Sequence, residues 1–84
     1  MNIGEFSVVQ FFDDGGYEYI RRFVSANEAI EAARGYTTSV AANLGFVRRV
    51  IITDGDDYTN FEWVYGKGIT FGAGVQNRKL TSAQ

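Results

Sequence analysis

Residues Glu5 to Val24 read EFSVVQFFDDGGYEYIRRFV: two runs of β-branched and aromatic residues, Glu5 to Phe12 and Tyr17 to Val24, parted by Asp13-Asp14-Gly15-Gly16. Val, Ile, Phe and Tyr suit a pleated, half-buried surface, while Asp and Gly adopt the backbone conformations a tight reversal requires. The stretch predicts a β-hairpin. Alternation within it already raises a question about the fold. In the first run Phe6, Val8 and Phe12 alternate against Val9 and Phe11, and in the second Tyr17, Tyr19 and Phe23 oppose Ile20 and Val24. Both sides of the pleat are apolar.

Immediately after the hairpin, Ser25-Ala26-Asn27-Glu28 has the spacing of a capping box, in which Ser25 accepts from the Glu28 amide and the Glu28 side chain reaches back. A helix is expected from about Ala26. Its buried stripe reads Ala26, Ala29, Ile30, Ala33, Tyr36, Thr37, Val40, Ala41 and Leu44, with Gly45 placed for a left-handed C-terminal cap. Gly35, Thr37 and Thr38 are poor helix formers and mark a point of kinking or breakage. The outer side carries Glu28, Glu31 and Arg34, then a small uncharged strip of Thr38, Ser39, Ala42 and Asn43.

Phe46 to Asp54 (FVRRVIITD) and Tyr58 to Tyr65 (YTNFEWVY) predict a second hairpin turning around Gly55-Asp56-Asp57. Lys67 to Phe71 extends or bulges its last strand. The expected fold is α+β, in the order ββαββ: a four-stranded antiparallel sheet with one helix packed on one face. Strand order 2-1-3-4 makes every neighbouring pair antiparallel. Residues 1–71 form the single domain, and 72–84 read as a flexible C-terminal tail.

The chain has 84 residues, 45% of them hydrophobic, which suffices for one core and not for two. It contains no His, Cys or Pro. Imidazole and thiolate chemistry, disulfides and ordinary zinc sites are therefore excluded. No apolar run is long enough for a membrane span or the core of a signal peptide, so the expectation is a cytoplasmic protein without a membrane partner. The net charge of −2 is uneven: Gly66 to Gln84 holds Lys67, Arg78 and Lys79 and no acid, whereas residues 1–65 hold five Arg against ten acids.

No motif completes a catalytic or ligand site. An EF-hand loop begun at Asp54 would place Thr59 where glycine belongs and Tyr65 where the bidentate glutamate belongs, so Asp54-Gly55-Asp56-Asp57 reads as a turn. Gly66 to Gly74 is glycine-rich, but a phosphate-binding pattern begun at Gly66 ends on Phe71 and lacks the Lys-Ser/Thr pair. Ser7, Ser25 and Ser39 have no His to activate them, and the carboxylates are not placed as an acid/base pair. No catalytic residue, metal or cofactor is expected.

The stretches Arg48 to Gly55, Asn60 to Trp63 and Gly66 to Phe71, with Val9 to Phe12 and Tyr36 to Ala42, make the chain similar to a group of small uncharacterised proteins of α-proteobacteria, over most of residues 5–71. The resemblance implies a bacterial or phage origin and carries no functional residue with it.

Thirteen aromatic residues exceed what one slim, alanine-rich helix can cover. Apolar residues on both faces of an antiparallel sheet imply a second cover: the tail through Ile69 and Phe71, a second copy, or another molecule. The function expected from this is a non-enzymatic protein-binding or self-associating (homodimeric) module. Its contact residues are Tyr17, Tyr19, Phe61, Trp63 and Tyr65 as rigid aromatic anchors, with Arg48 and Arg49 beside them. On this reading Trp63→Ala weakens association more than folding. Two rivals stand beside it. Asp13, Asp14, Asp54, Asp56 and Asp57 at the hairpin tips suit an inhibitor of the anti-CRISPR type that blocks a nucleic-acid-binding surface. Arg21, Arg22, Arg48 and Arg49 beside aromatic rings suit a single-stranded nucleic-acid binder, against which the acidic body counts.

Overall fold

The computed structural model describes residues 4–55 and 58–72. The elements are β1 (Phe6–Phe12), β2 (Tyr17–Val24), α1 (Ala26–Thr37), α2 (Val40–Asn43), β3 (Val47–Thr53), β4 (Thr59–Val64) and β5 (Gly68–Phe71). They form one antiparallel sheet in the order β2-β1-β3-β4-β5, with both helices on one side. The expected 2-1-3-4 order holds, and β5 is added at its edge. It is a strand of its own because the chain reverses after Val64: the Lys67 amide donates to the Val64 carbonyl at 2.9 Å, and Gly66 takes φ +86°. The tail expected over residues 72–84 lies outside the described residues except for Gly72.

Both predicted turns close as their residue types dictate. At the first, the Phe12 amide donates to the Gly16 carbonyl at 2.8 Å, and the Asp14 carboxylate accepts from the Gly16 amide. At the second, Asp54 exchanges bonds with Tyr58, its amide donating to the Tyr58 carbonyl and its carboxylate accepting from the Tyr58 amide. Asp56 and Asp57 lie outside the described residues.

The single helix expected to reach Leu44 is two. Ser25 caps the first as predicted, accepting from the Glu28 amide at 3.2 Å, but the Glu28 carboxylate turns towards Arg21, 3.8 Å away, instead of closing the box. Past Thr37 the Thr38 hydroxyl donates back to the Arg34 carbonyl at 2.9 Å. Ser39 then caps α2 by accepting from the Ala42 amide at 3.1 Å. This break resets the helical phase. Ala42 turns into the core, whereas Val40, expected in the buried stripe, is 75% exposed, and Leu44 is exposed with it. The small outer strip expected from Thr38 to Asn43 is therefore not a strip: Ser39 is spent as a cap and Ala42 is core. Gly45 takes φ +88°, as its cap position requires.

The core lies between sheet and helices and is built from Val8, Val47, Val50 and Ile52 against Ala29, Ala32, Ala33 and Ala42. Alanine on the helix side lets the backbone approach the sheet closely, and the larger aliphatic residues of the helices fall outside the contact. Each buried Val or Ile stabilises the fold by about 1.5–3 kcal/mol, several times what an alanine methyl supplies. α1 lies over β1, β2 and β3, and α2 over β3. Phe6, Phe12, Ile20, Val24, Phe61 and Trp63 close the sides of this core.

Candidate functional site: the open face of the sheet

The side of the sheet turned away from the helices is set by register. Val9 stands opposite Tyr19 on one neighbour and Ile51 on the other, and Phe11 stands opposite Tyr17 and Arg49. Ile51 faces Glu62, and Arg49 faces Val64. Directly paired residues share a face, so these positions form two adjacent rows across four strands. Val9 and Ile51 are buried without belonging to the core under the helices. Longer side chains stand beside them on the same face.

Those side chains are aromatic and cationic. Phe11 and Tyr17 have ring centroids 6.0 Å apart, and Tyr17 and Tyr19 meet edge to face at 6.3 Å. The Arg22 guanidinium lies 4.1 Å over the Tyr19 ring, and that of Arg49 lies 5.1 Å over Phe11. Arg49 also holds the Glu62 carboxylate, which accepts a second bond from the Thr70 hydroxyl at 2.6 Å. The Thr70 hydrogen bond first, and Arg49 after it, keep the Glu62 carboxyl below its ordinary pKa despite partial burial.

One residue of this face is out of its ordinary conformation. Two register shifts interrupt the pairing of β1 with β2 between Phe6 and Val9, and opposite them Phe23 takes φ +57°. A left-handed conformation costs a residue with a Cβ about 1–2 kcal/mol. The bulge turns Phe23 out beside Arg22, and both line a shallow hollow with Ser7, Tyr19 and Thr53. Phe23 is 60% exposed and Tyr17 64%.

The expected contact residues divide between the two sides of the sheet. Tyr17, Tyr19 and Arg49 come together on the open face. Phe61 and Trp63 do not join them: both pack against the core under the helices. Tyr65 follows them beyond the end of β4, beside Gly45, with the Arg48 guanidinium 4.9 Å over its ring. Ile69, expected to help the tail over the second face, instead lines a hollow with Ile30 and Phe61 on the helix side. Phe11, Arg22 and Phe23 complete the open face and were not among the expected contact residues. Alternation placed Phe11 and Phe23 on its side, but the bulge that brings out Phe23 has no sequence signal. Asp13 and Asp14 sit at one end of the sheet and Asp54 at the other, so these acids do not form one patch.

No protein family, curated protein or solved structure matches this chain. Among the described residues no helix is long and apolar enough to cross a membrane.

Proposed function

We propose that this chain is a protein-binding module whose working surface is the open face of the sheet, centred on Tyr17, Tyr19 and Phe23 with Phe11, Arg22 and Arg49 around them. The observation that carries the reading is Phe23. A phenylalanine held in a left-handed conformation and presented to solvent benefits neither backbone nor core, and strain of this kind persists where a surface is kept for contact. Tyr17 and Tyr19 extend the same surface as anchors with few rotatable bonds to immobilise. Arg22, stacked on Tyr19, offers its guanidinium edge to a carboxylate of the partner. No side chain in the set suggests catalysis.

The test is comparative. A tagged wild-type chain and a Tyr19→Ser/Phe23→Ser variant, both confirmed as folded, are used to capture proteins from cells that express the chain naturally. A stoichiometric partner held by the wild type and lost by the variant is the expected result. Equal capture by both would remove the open face from the binding reaction.

A second reading has its own observation. Guanidinium groups stacked over Tyr19 and Phe11 are an arrangement that also holds bases and phosphates. Against it, Arg49 is already engaged by Glu62 in the middle of the face. Affinity for single-stranded oligonucleotides that falls steeply with salt would favour this reading over a protein partner.

A further inference from the structure

The proposed binding surface has an edge as well as a face. Tyr17, Tyr19 and Phe23, the exposed rings at its centre, all belong to β2, which ends the sheet and has β1 as its one neighbour among the described residues. A partner that covers these rings lies along that outer strand. Which backbone groups it meets follows from the turn. The Phe12 amide donates to the Gly16 carbonyl, and the pairing continues with Phe11 opposite Tyr17, Gln10 opposite Glu18 and Val9 opposite Tyr19. In an antiparallel ladder every second residue of a strand bonds to one neighbour, and the residues between turn their amide and carbonyl to the other side. Counted from Gly16, Glu18 bonds to β1, and Tyr17 and Tyr19 point outward. The same two residues therefore offer rings on the open face and main-chain donors and acceptors at the edge.

The remainder of this edge is closed. Past Tyr19 the bulge interrupts the pairing with β1, and the Arg21 guanidinium donates to the Ile20 carbonyl at 2.9 Å. The opposite edge of the sheet, β5, has only four residues. Short strands, bulges, lysine and proline are the ordinary protections of a sheet edge. The stretch Tyr17 to Tyr19 has none of them.

Charge narrows what can pair there. Glu18 shares the helix side with Gln10 and Val50, is exposed, and accepts from the Gln10 side-chain amide at 3.0 Å. Symmetric pairing with a second copy fits poorly. Centred on Glu18 it sets two carboxylates directly opposite each other, which destabilises a strand pair. Centred on Tyr19 it sets Tyr17 against Arg21, which lies on the helix side, 3.8 Å from Glu28. A segment that carries Lys or Arg opposite Glu18 is attracted instead, and the residues on either side of that cation fall on the open face against Tyr17 and Tyr19, where apolar side chains fit.

From the outward backbone of Tyr17 and Tyr19, the closed edge beyond them and the charge of Glu18 we infer that the partner is held by strand addition: an extended segment of another protein, reading apolar, basic, apolar, pairs with β2 along Tyr17 to Tyr19. Resting on the open face as the working surface, the added strand gains its main-chain bonds from the edge and its selectivity from the alternation of side chains.

Random linear peptides displayed on phage and selected against the full chain are the probe. Enriched peptides are expected to share a Lys or Arg between two apolar residues. With the strongest of them bound, amide exchange followed by NMR is expected to slow at least about tenfold at Tyr17 and Tyr19 and to stay unchanged at Glu18, whose amide is already bonded to β1. Glu18→Lys sets like charges opposite each other and is expected to weaken that peptide about threefold to tenfold, with far-UV circular dichroism confirming that the variant is folded. Failure to enrich such a sequence would overturn the proposal, and so would a bound peptide that leaves both tyrosine amides exchanging as in the free chain. In the second case Tyr19→Ser/Phe23→Ser separates the two readings: binding lost with the rings removes strand addition and keeps the open face, whereas binding retained removes both. Exchange at the two amides that slows in the free chain as its concentration rises would assign the edge to a second copy and overturn the proposal likewise.

Discussion

Glu62 shows how far a single side chain can be read from sequence. Its place opposite Trp63 in the alternation of YTNFEWVY is legible, and so is the prospect of an arginine across the strand. Its second partner is not, because Thr70 reaches it only once β5 folds back alongside β4. The two partners stabilise the carboxylate relative to the acid, so the folded-state pKa lies below the unfolded one. Stability from this source is present above the unfolded value and lost as pH falls through the folded value. Glu62→Gln is therefore expected to be less stable than the wild type at pH 7 and to show a flatter loss of stability between roughly pH 5 and 3. Urea unfolding across that range measures both. Trp63 gives the complementary lesson. Its alternation with Glu62 and Val64 is legible in the sequence, but which side of the strand faces the helices is set by the register with β3, where Trp63 stands opposite the fully buried Val50.

At the scale of elements, both hairpins, the capping serine at Ser25 and the glycine cap at Gly45 are visible as residue types in fixed places. The break in the helix is visible as a weakness, since Gly35, Thr37 and Thr38 fall together, but its consequence is not. A stripe drawn at constant phase through Leu44 puts Val40 and Leu44 inside, and only the new start at Ser39 turns them out. That serine makes two bonds at the junction, accepting from the Ala42 amide and donating to the Tyr36 carbonyl at 3.2 Å. α2 has four residues and little helical tendency of its own, so the cap and the contact of Ala42 with the core must hold it. Ser39→Ala is expected to cost about 1 kcal/mol in urea unfolding. Thr in its place should retain most of the stability. The fifth strand was likewise half legible: Gly66 and Gly68 flank a reversal, yet glycines this close to a strand end equally suit a bulge.

For the molecule as a whole, the aromatic surplus is the informative quantity: the chain has thirteen aromatic residues, and Tyr17, Tyr19 and Phe23 stay exposed on the side of the sheet away from the helices. What the sequence did not disclose is how the surplus is shared. Phe61 and Trp63 go to the core, and Tyr17, Tyr19, Phe23 and Phe11 go to the open face, where they meet Arg22 and Arg49. On the proposed function, one side of the sheet supplies the stability of the fold, and the other presents exposed rings kept for a partner. Phe23 is where these two roles part most clearly, since its ring is exposed and its backbone is strained. Asparagine tolerates the left-handed region far better than phenylalanine. The measurement that bears most directly on the division is the unfolding free energy of Phe23→Asn beside the wild type. A protein whose open face is kept for binding should lose nothing by the change and gain up to about 1 kcal/mol. A loss of more than about 1 kcal/mol would mean that the Phe23 ring is packed for folding, and the open face would lose its claim to be the working surface.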